Sequence, residues 1–289
     1  MSTFQLIDNS SCMIDNDLSV WKALRGVSSV DFCELMLTNS AGLPTDIVPN
    51  LPDDKVQKMY NGRCNLELLP SCVSFVNECS YLFNKYSLPS VDEIKILDYG
   101  CGWGRLLRLM RFFASPENIY GVDPLQSSID ICRSCGINSN LSICEEIPRP
   151  RSLNFPGNFF NYIYSWSVFT HLSYTAMDSI QKMLLHYIHP KGILMITIRP
   201  LIFWDYYRKI GRISSEEYDF LTLQHQSTGF AYRPLKHGWA AVNNEVHFGD
   251  TTITLDFLKS QWINWSVLET FIMPEEPMQQ CVVLAPSNK

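Results

Sequence analysis

The stretch IKILDYGCGWGRLLRLM, residues 94–110, constrains the fold of this chain more than any other feature. An apolar run carrying Asp98 leads into glycines at 100, 102 and 104, and an apolar pattern of helical spacing follows. Glycines between a strand and a helix let a ligand approach the backbone closely, and a helix N-terminus offers unpaired N–H groups and a positive dipole. A second apolar run, NIYGVD, ends at Asp123, where an acid can bind ribose hydroxyls. Together the two patterns predict a nucleotide-like ligand at the edge of a parallel sheet.

Downstream of the glycines, strand-like and helix-like segments alternate. Further strands are predicted at LSIC, FFNYIYSW and ILMITIRP, with a turn at HPKG before the last of these. Helices are predicted at PLQSSIDICRSCG and at SYTAMDSIQKMLLHYI, the latter with Ser173 as its N-cap. Near the end, WSVLETFIM and QQCVVLAP are separated by a short loop, which predicts an antiparallel hairpin. Such alternation indicates an α/β fold with right-handed crossovers.

These motifs resemble those of class I S-adenosylmethionine-dependent methyltransferases. ILDYGCGWGRLLR followed by IYGVD is similar to the first two motifs of that family, and FFNYIYSWSVFTHL and HPKGILMIT to its fourth and fifth strands. SVFTHL and the upstream LPDDKVQKMYNG resemble a bacterial branch of small-molecule and sugar methyltransferases. The resemblance implies a Rossmann-like, seven-stranded, mostly parallel sheet with a closing antiparallel hairpin and helices on both faces. An N-terminal helical cap is expected in addition.

The resemblance also implies S-adenosyl-L-methionine as the cofactor and assigns residues to it. Gly100 and Gly102 would lie against its methionine part, with Asp98 helping to hold the amino group, and Asp123 would bind the two ribose hydroxyls. The remaining residues expected around the cofactor are Cys101 in the glycine turn, Pro124, Leu125, Cys144 and Glu145 beside the adenine, and Ser165 and Trp166 facing the transferable methyl group.

The chain divides, by sequence pattern, into an N-terminal helical region at 1–90 and a methyltransferase domain at 91–289. Residues 200–250 interrupt the strand–helix alternation with many aromatic side chains, and a connection of this length is functional or disordered in most proteins. We expect this segment to form a substrate lid. The residues expected to line the acceptor site are Trp204, Tyr207, Tyr232 and His237.

The predicted reaction is methyl transfer to a small-molecule or glycan acceptor, at oxygen, by in-line displacement. His171 directly follows the fourth strand and is the predicted general base, because an imidazole suits proton abstraction near neutral pH. His225, His237, His247 and no base at all are the alternatives. Two other functions stay open at this point: a homologue that binds the cofactor without catalysis, and a nicotinamide-dependent oxidoreductase, against which the glycine spacing counts.

Composition excludes several classes of partner. The formal charge of the 289-residue chain is −6, which disfavours a broad electrostatic contact with nucleic acid. No apolar run reaches the ~18–20 residues of a membrane span, and the N-terminus lacks a signal-peptide pattern, so a cytoplasmic protein is expected. The ten cysteines, including the CxxC of Cys132 and Cys135, are expected to be reduced thiols, and no cluster indicates a metal. Arg105, Arg108 and Arg111 recur every third residue, which is typical of a solvated helix face.

Overall fold

A computed structural model of the chain describes residues 23–137, 140–235 and 245–287. The chain forms two compact units. The first comprises the described residues up to Ile94 together with Cys101–Ser142, and the second comprises Lys95–Gly100 together with the described residues from Ile143 onward. His237 lies outside the described residues.

The first unit consists of helices around one short strand. Its helices begin at residues whose side chains accept from the helix N-terminus: Ser28 accepts from the N–H of Asp31, and Asp53 from the N–H of Val56. The elements are α1 (Ser29–Thr38), α2 (Asp54–Asn61), α3 (Leu69–Lys85), β2 (Ile119–Asp123) and α4 (Gln126–Ser134). These ranges confirm the predicted helical character of the N-terminal region.

The three arginines predicted to be solvated are buried instead, and that prediction is wrong. Arg108 is only 1% exposed and donates from its guanidinium to the carbonyl oxygens of Pro49 (2.9 Å) and Asn50 (3.0 Å). Arg111 donates to the carbonyl of Ile47, and Arg105 to the hydroxyl of Ser71. The proline-rich segment before α2 has carbonyl groups without strand or helix partners, and burying such groups is costly unless they receive hydrogen bonds. The arginines supply those bonds.

The second unit contains most of the strands and one long, well-capped helix. Its strands are β1 (Ile96–Tyr99), β4 (Phe160–Ser165), β5 (Ile188–Ile198), β8 (Trp265–Phe271) and β9 (Gln280–Pro286). The short β3 (Leu141–Ile143) spans the sequence boundary, since Ser142 belongs to the first unit and Ile143 to the second. Helix α5 (Tyr174–Tyr187) begins after Ser173, whose side chain accepts from the N–H of Ala176, as predicted.

Seven strands form one sheet in the order β3-β2-β1-β4-β5-β9-β8. Within the second unit, β4 pairs in parallel with both β1 and β5. Strand β9 is antiparallel to β5 and to β8 and lies between them, so the last two strands form the predicted antiparallel hairpin. The predicted seven-stranded, mostly parallel Rossmann-like sheet is confirmed.

The segment after β5 forms a small substructure with its own core. It contains α6 (Ile202–Lys209), α7 (Ser215–Thr228), β6 (Phe230–Pro234) and β7 (Gly249–Ile253), and β6 and β7 pair antiparallel. A last helix, α8 (Leu255–Gln261), follows, with Thr254 as its N-cap. The small core is formed by Phe203, Trp204, Ile213, Leu221 and Ala231. The aromatic side chains of this segment therefore serve first to fold it.

Two local predictions differ from the structure. The apolar pattern after the glycines forms a 3-10 helix at Leu107–Phe112, where an α-helix was expected. The HPKG turn is instead part of β5, which bulges there: Phe160 lies opposite Ile188, whereas Tyr162 lies opposite Ile193. Gly192 lies in this bulge, and a Cβ there would lie 2.8 Å from the carbonyl oxygen of Asn161. The close backbone approach therefore favours glycine at this position.

Candidate active site

The glycine turn after β1 adopts a backbone conformation that side chains disfavour. The φ angles of Gly100, Gly102 and Gly104 are +82°, +54° and +82°, all in the left-handed region. In the first unit, the N–H of Cys101 donates to the carbonyl of Val122 (3.0 Å). The alternate glycines are therefore required by the path of the chain and by the side chains that pack on them.

Asp123 is the last residue of β2, and its side chain binds the backbone of this turn. Its Oδ2 accepts the N–H of Gly102 and its Oδ1 accepts the N–H of Leu125, both at 2.9 Å. The carboxylate is only 6% exposed, and burial raises its pKa, whereas the two backbone bonds and the hydroxyl of Ser128 act to lower it. A carboxylate has about four lone-pair positions, so these three donors leave about one position for a further O–H.

Helix α2 also contacts this turn. The Tyr60 ring packs on Gly102, where a Cβ would lie 3.3 Å from its Cδ1, and the Tyr60 hydroxyl lies 2.9 Å from Oγ of Ser128. The next residue, Asn61, accepts the indole N–H of Trp103 at 2.8 Å. The N-terminal region therefore contacts the glycine turn directly, within the first unit.

In the second unit, the carboxyl ends of β1 and β4 carry a second group of predicted residues. Asp98 is buried on β1 opposite Tyr164 of β4. The hydroxyl of Ser165 donates to the carbonyl of Tyr99 at 2.9 Å. A Cβ on Gly100 would collide with Cγ2 of Val168, so only glycine fits there. The loop after β4 thus packs tightly on the end of β1.

His171 lies in the loop before α5 with both ring nitrogens engaged. Its Nδ1 is 2.6 Å from the carbonyl oxygen of Gly249, and its Nε2 is 3.0 Å from Nη2 of Arg199. A carbonyl only accepts and a guanidinium only donates, so these partners select the neutral ring with its proton on Nδ1. Burial and the charge of Arg199 lower the pKa of His171 to about 3.

Arg199 and Asp250 form a buried ion pair beside this histidine. Nη1 of Arg199 lies 2.9 Å from Oδ1 of Asp250 and donates to the carbonyl of Thr170 at the same distance. The guanidinium lies over the ring of Phe203, 4.1 Å from its centroid, and Tyr207 donates its hydroxyl to Asp250 at 3.2 Å. The pair joins the end of β5 to β7, and so ties together the two ends of the inserted segment.

Comparison with known proteins identifies the family. A family profile described as a methyltransferase domain matches residues 74–240, which is more than half of the chain. The chain belongs to the class I S-adenosylmethionine-dependent methyltransferases. The predicted enzyme class and its cofactor, S-adenosyl-L-methionine, follow from this membership.

Individual relatives of the methyltransferase are distant. A structure of an S-adenosylmethionine-dependent methyltransferase from Clostridium acetobutylicum is similar with a TM-score of 0.52 at 10% identity, covering 81% of this chain and 97% of that one. A protein from Pyrococcus horikoshii is similar with a TM-score of 0.50 at 15% identity, covering 74% and 90%. At these identities, the likeness concerns the fold. A ubiquinone biosynthesis O-methyltransferase of Bartonella tribocorum is 30% identical over 132 residues, which are 44% of this chain. The match spans about half, 51%, of that relative.

The environment of the glycine turn bears on the cofactor residues that the resemblance assigns to the methyltransferase. The buried Asp123 carboxylate has about one of its four lone-pair positions left for a hydroxyl donor, and the space where Gly102 lacks a side chain is occupied by the Tyr60 ring. The Tyr60 ring forms a wall next to both. Pro124 and Leu125 directly follow Asp123, and Leu125 is the N-cap residue of α4.

The other predicted cofactor residues of the methyltransferase differ in environment. Cys101 and Cys144 carry buried thiols, and Sγ of Cys144 lies 3.9 Å from the hydroxyl of Tyr99. The side chain of Glu145 is 54% exposed and forms a loose ion pair with Arg149 at 4.0 Å. Trp166 follows Ser165 and is half-buried. These four positions stay predictions that rest on the resemblance.

Among the residues predicted to line the acceptor site, Trp204 requires a correction. It is 0% exposed in the core of the inserted segment, and its indole N–H donates to Oγ1 of Thr252. A side chain enclosed in this way offers no surface to a substrate. Tyr207 and Tyr232 are half-buried, and the hydroxyl of Tyr232 donates to the carbonyl of Val246 at 2.8 Å. These two remain predicted lining residues.

Sequence reasoning missed Tyr60, Ser128, Arg199 and Asp250. Tyr60 lies in LPDDKVQKMYNG, a motif already noticed, between the N-cap Asp53 and the C-cap Gly62. The hydrophobic pattern of that segment indicates a helix, but nothing in it indicates which side the helix packs on. The Arg199–Asp250 pair joins residues 51 positions apart, which a single sequence cannot reveal.

Proposed function

We propose that this methyltransferase transfers the methyl group of S-adenosylmethionine to a hydroxyl group of a small-molecule or glycan acceptor. The observation that carries the proposal is the buried Asp123 carboxylate, held 2.9 Å from the N–H of Gly102 in a turn that requires glycine. Support for oxygen as the target comes from the curated relative, whose name describes an O-methyltransferase.

The chemistry requires little more from the protein than positioning. The cofactor, when bound, supplies a methyl group on a positively charged sulfur that is already electrophilic. The chain must hold an acceptor oxygen about 3 Å from that carbon and in line with the departing sulfur, and such positioning accounts for much of the rate in reactions of this type. Asp123 would accept a ribose hydroxyl, and the glycine turn would lie along the methionine arm.

The segment between β5 and β7 is proposed to cover the acceptor. It begins at the carboxyl end of a parallel strand, the edge at which open α/β sheets bind their ligands. Its own small core and the Arg199–Asp250 pair give it a defined shape, and Tyr207 and Tyr232 present half-buried aromatic surfaces. The segment therefore has the properties expected of a preformed lid.

The surroundings of His171 favour a positioning role over that of a general base. To accept a proton, Nε2 would have to lose its bond to Arg199 and place a second positive charge beside the guanidinium. The low pKa of about 3 reflects burial and that charge. We therefore assign His171 to holding Arg199 in place, and the acceptor hydroxyl would lose its proton to another group or to water.

The decisive experiment uses methyl-labelled S-adenosylmethionine and an extract of the host cell. The full-length enzyme is incubated with both, and labelled products are identified by mass spectrometry. A labelled small molecule or glycan carrying the methyl group on oxygen is the expected result. Binding of S-adenosylhomocysteine without any labelled product would support the non-catalytic homologue instead, and label on nitrogen or carbon would refute the assignment of the target atom.

A further inference from the structure

Tyr60 joins three features of the cofactor-binding turn in the first unit. Its ring lies on the open face of Gly102, its hydroxyl lies 2.9 Å from Oγ of Ser128, and Ser128 in turn interacts with the carboxylate of Asp123. Ser128 is fully buried in the first turn of α4. No feature of the sequence assigned a role to either hydroxyl.

The direction of this hydroxyl chain follows from the chemistry of its members. Either hydroxyl can be the donor between Tyr60 and Ser128, but the direction in which Ser128 shifts the pKa of Asp123, downward, is the one expected when its single proton is turned toward the ionised acid. The oxygen of Ser128 then accepts from Tyr60, whose phenol donates. In this arrangement Tyr60 favours the rotamer of Ser128 that directs its proton toward the Asp123 carboxylate.

Helix α2 is braced so that Tyr60 cannot easily leave this position. The side chain of Gln57 is 0% exposed, donates to the carbonyl of Pro52 at 2.8 Å and accepts the N–H of Asn65 at 2.8 Å. Asn61, the residue after Tyr60, accepts a hydrogen bond from the indole N–H of Trp103 in the glycine turn. The helix is thus attached both to the chain that flanks it and to the turn it covers.

We propose that Tyr60 is a cofactor-positioning residue: its ring walls the methionine side of the Gly102 turn, and its hydroxyl orients the Asp123 carboxylate through Ser128. The N-terminal helical region is then a component of the cofactor site. This inference rests on the proposed function only in taking S-adenosylmethionine as the ligand.

The test measures binding of S-adenosylhomocysteine to the full-length protein by calorimetry. Tyr60→Phe keeps the ring and removes the hydroxyl, and we expect a three- to tenfold loss of affinity, about the net value of one hydrogen bond. Tyr60→Ala also removes the wall and weakens binding further. Tyr81→Phe is the matched control, because Tyr81 is 48% exposed on α3 and its hydroxyl accepts from Lys85 at the surface.

A double-mutant cycle separates positioning from general stabilisation. Ser128→Ala is expected to weaken binding by itself, and in that background Tyr60→Phe should change the affinity less than about twofold, because the hydroxyl acts through Ser128. Independent, additive losses would overturn the inference. So would a Tyr60→Phe variant that melts at a lower temperature yet binds S-adenosylhomocysteine as the parent does.

The outcome also distinguishes this inference from the proposed function. If the parent protein fails to bind S-adenosylhomocysteine, the assignment of the ligand is wrong. If the parent binds and Tyr60→Phe binds equally well, only the role of Tyr60 is wrong. Should Tyr60→Ala fail to fold, the Phe variant and the cycle still decide, since the Phe variant retains every ring contact.

Discussion

Asp123 accepts the backbone N–H of Gly102 at 2.9 Å, which ties the end of β2 to the middle of the glycine turn. The same carboxylate accepts the N–H of Leu125 with its other oxygen. One acidic side chain therefore holds both of the chain segments that the family resemblance assigns to the cofactor. This double attachment explains why an acid is required here even before a ligand is considered.

Asp123→Asn is expected to be a poor mimic of the wild-type residue. Its amide nitrogen would face one of the two backbone N–H groups, because both are donors, and one buried donor would lose its partner. We expect S-adenosylhomocysteine binding to weaken by ~2–4 kcal/mol, measured by calorimetry, while the protein stays folded. Asp130→Asn is the control, since Asp130 lies on α4 with a side chain 61% exposed. Unchanged affinity in folded Asp123→Asn would make the acid a turn residue only.

Arg108→Met is expected to destabilise the first unit. The substitution keeps the length of the side chain but removes the donors to the carbonyls of Pro49 and Asn50, at a cost of about 1–3 kcal/mol for the buried Pro49 carbonyl and less for that of the exposed Asn50. The loss should appear as a lower midpoint in urea unfolding. Arg108→Lys should restore little of the lost stability. A single ammonium group cannot donate to both carbonyls at once, whereas the planar guanidinium uses two nitrogens to do so.

Arg133→Met provides the comparison for Arg108. Arg133 lies on α4 with a side chain 50% exposed and an ion pair of 3.7 Å to Asp130. Surface pairs of this kind contribute about 0–1 kcal/mol. Equal effects of the two substitutions would contradict the role given to the buried guanidinium.

His171 is expected to stay neutral across the physiological range. Its pKa is lowered from 6.5 in the unfolded chain to about 3 in the folded protein, by burial and by the charge of Arg199. Below pH 6.5 the unfolded chain binds a proton that the folded chain excludes, so this contribution to stability is full above 6.5 and falls as the pH drops toward 3. Urea unfolding between pH 7 and pH 4, compared for the parent and His171→Ala, should show the difference shrinking as the pH falls. A nuclear magnetic resonance titration with a midpoint near 6.5 for His171 would refute the expectation.

The Arg199–Asp250 pair is expected to show strong coupling. Arg199→Met leaves the buried Asp250 carboxylate with the Tyr207 hydroxyl and the more distant Arg233, at 3.8 Å. Asp250→Asn removes the carboxylate that pairs with the buried Arg199 guanidinium, so each substitution should cost about 3–5 kcal/mol of unfolding free energy. The double variant should lose less than the sum of the two. Both residues attach the inserted segment, which is proposed to cover the acceptor. We therefore expect the affinity for S-adenosylhomocysteine to change little, whereas formation of labelled product should be lost. Additive losses would show that the two charges act independently.

Much of the architecture was accessible from local pattern. Ser173 and the helix after it, the strands ending at Asp98 and Asp123, and the closing hairpin were all predicted within a few residues of their observed positions. These features depend on hydrophobic periodicity, helix caps and turn residues, each of which is encoded within about ten consecutive residues. No helix among the described residues is long and apolar enough to cross a membrane.

The errors share one cause, which is burial of polar groups by distant segments. The spacing of Arg108 and Arg111 is that of an exposed helix face, yet a proline-rich segment about sixty residues earlier lies over them. Trp204 looked like a ligand-lining aromatic residue, but Thr252 and a small core enclose it. A side chain's exposure depends on which segment packs on it, and that information is not local.

The amino-acid sequence by itself determined the order of strands and helices, the glycine turn and the acid after the second strand, because backbone preferences and side-chain periodicity act between neighbours. Only the tertiary structure decided that Tyr60 covers Gly102, that Arg199 meets Asp250, and that His171 has no free nitrogen. Those contacts join residues 28 to 78 positions apart. They form only when the whole chain has collapsed and each buried polar group has found the partner that offsets its loss of water.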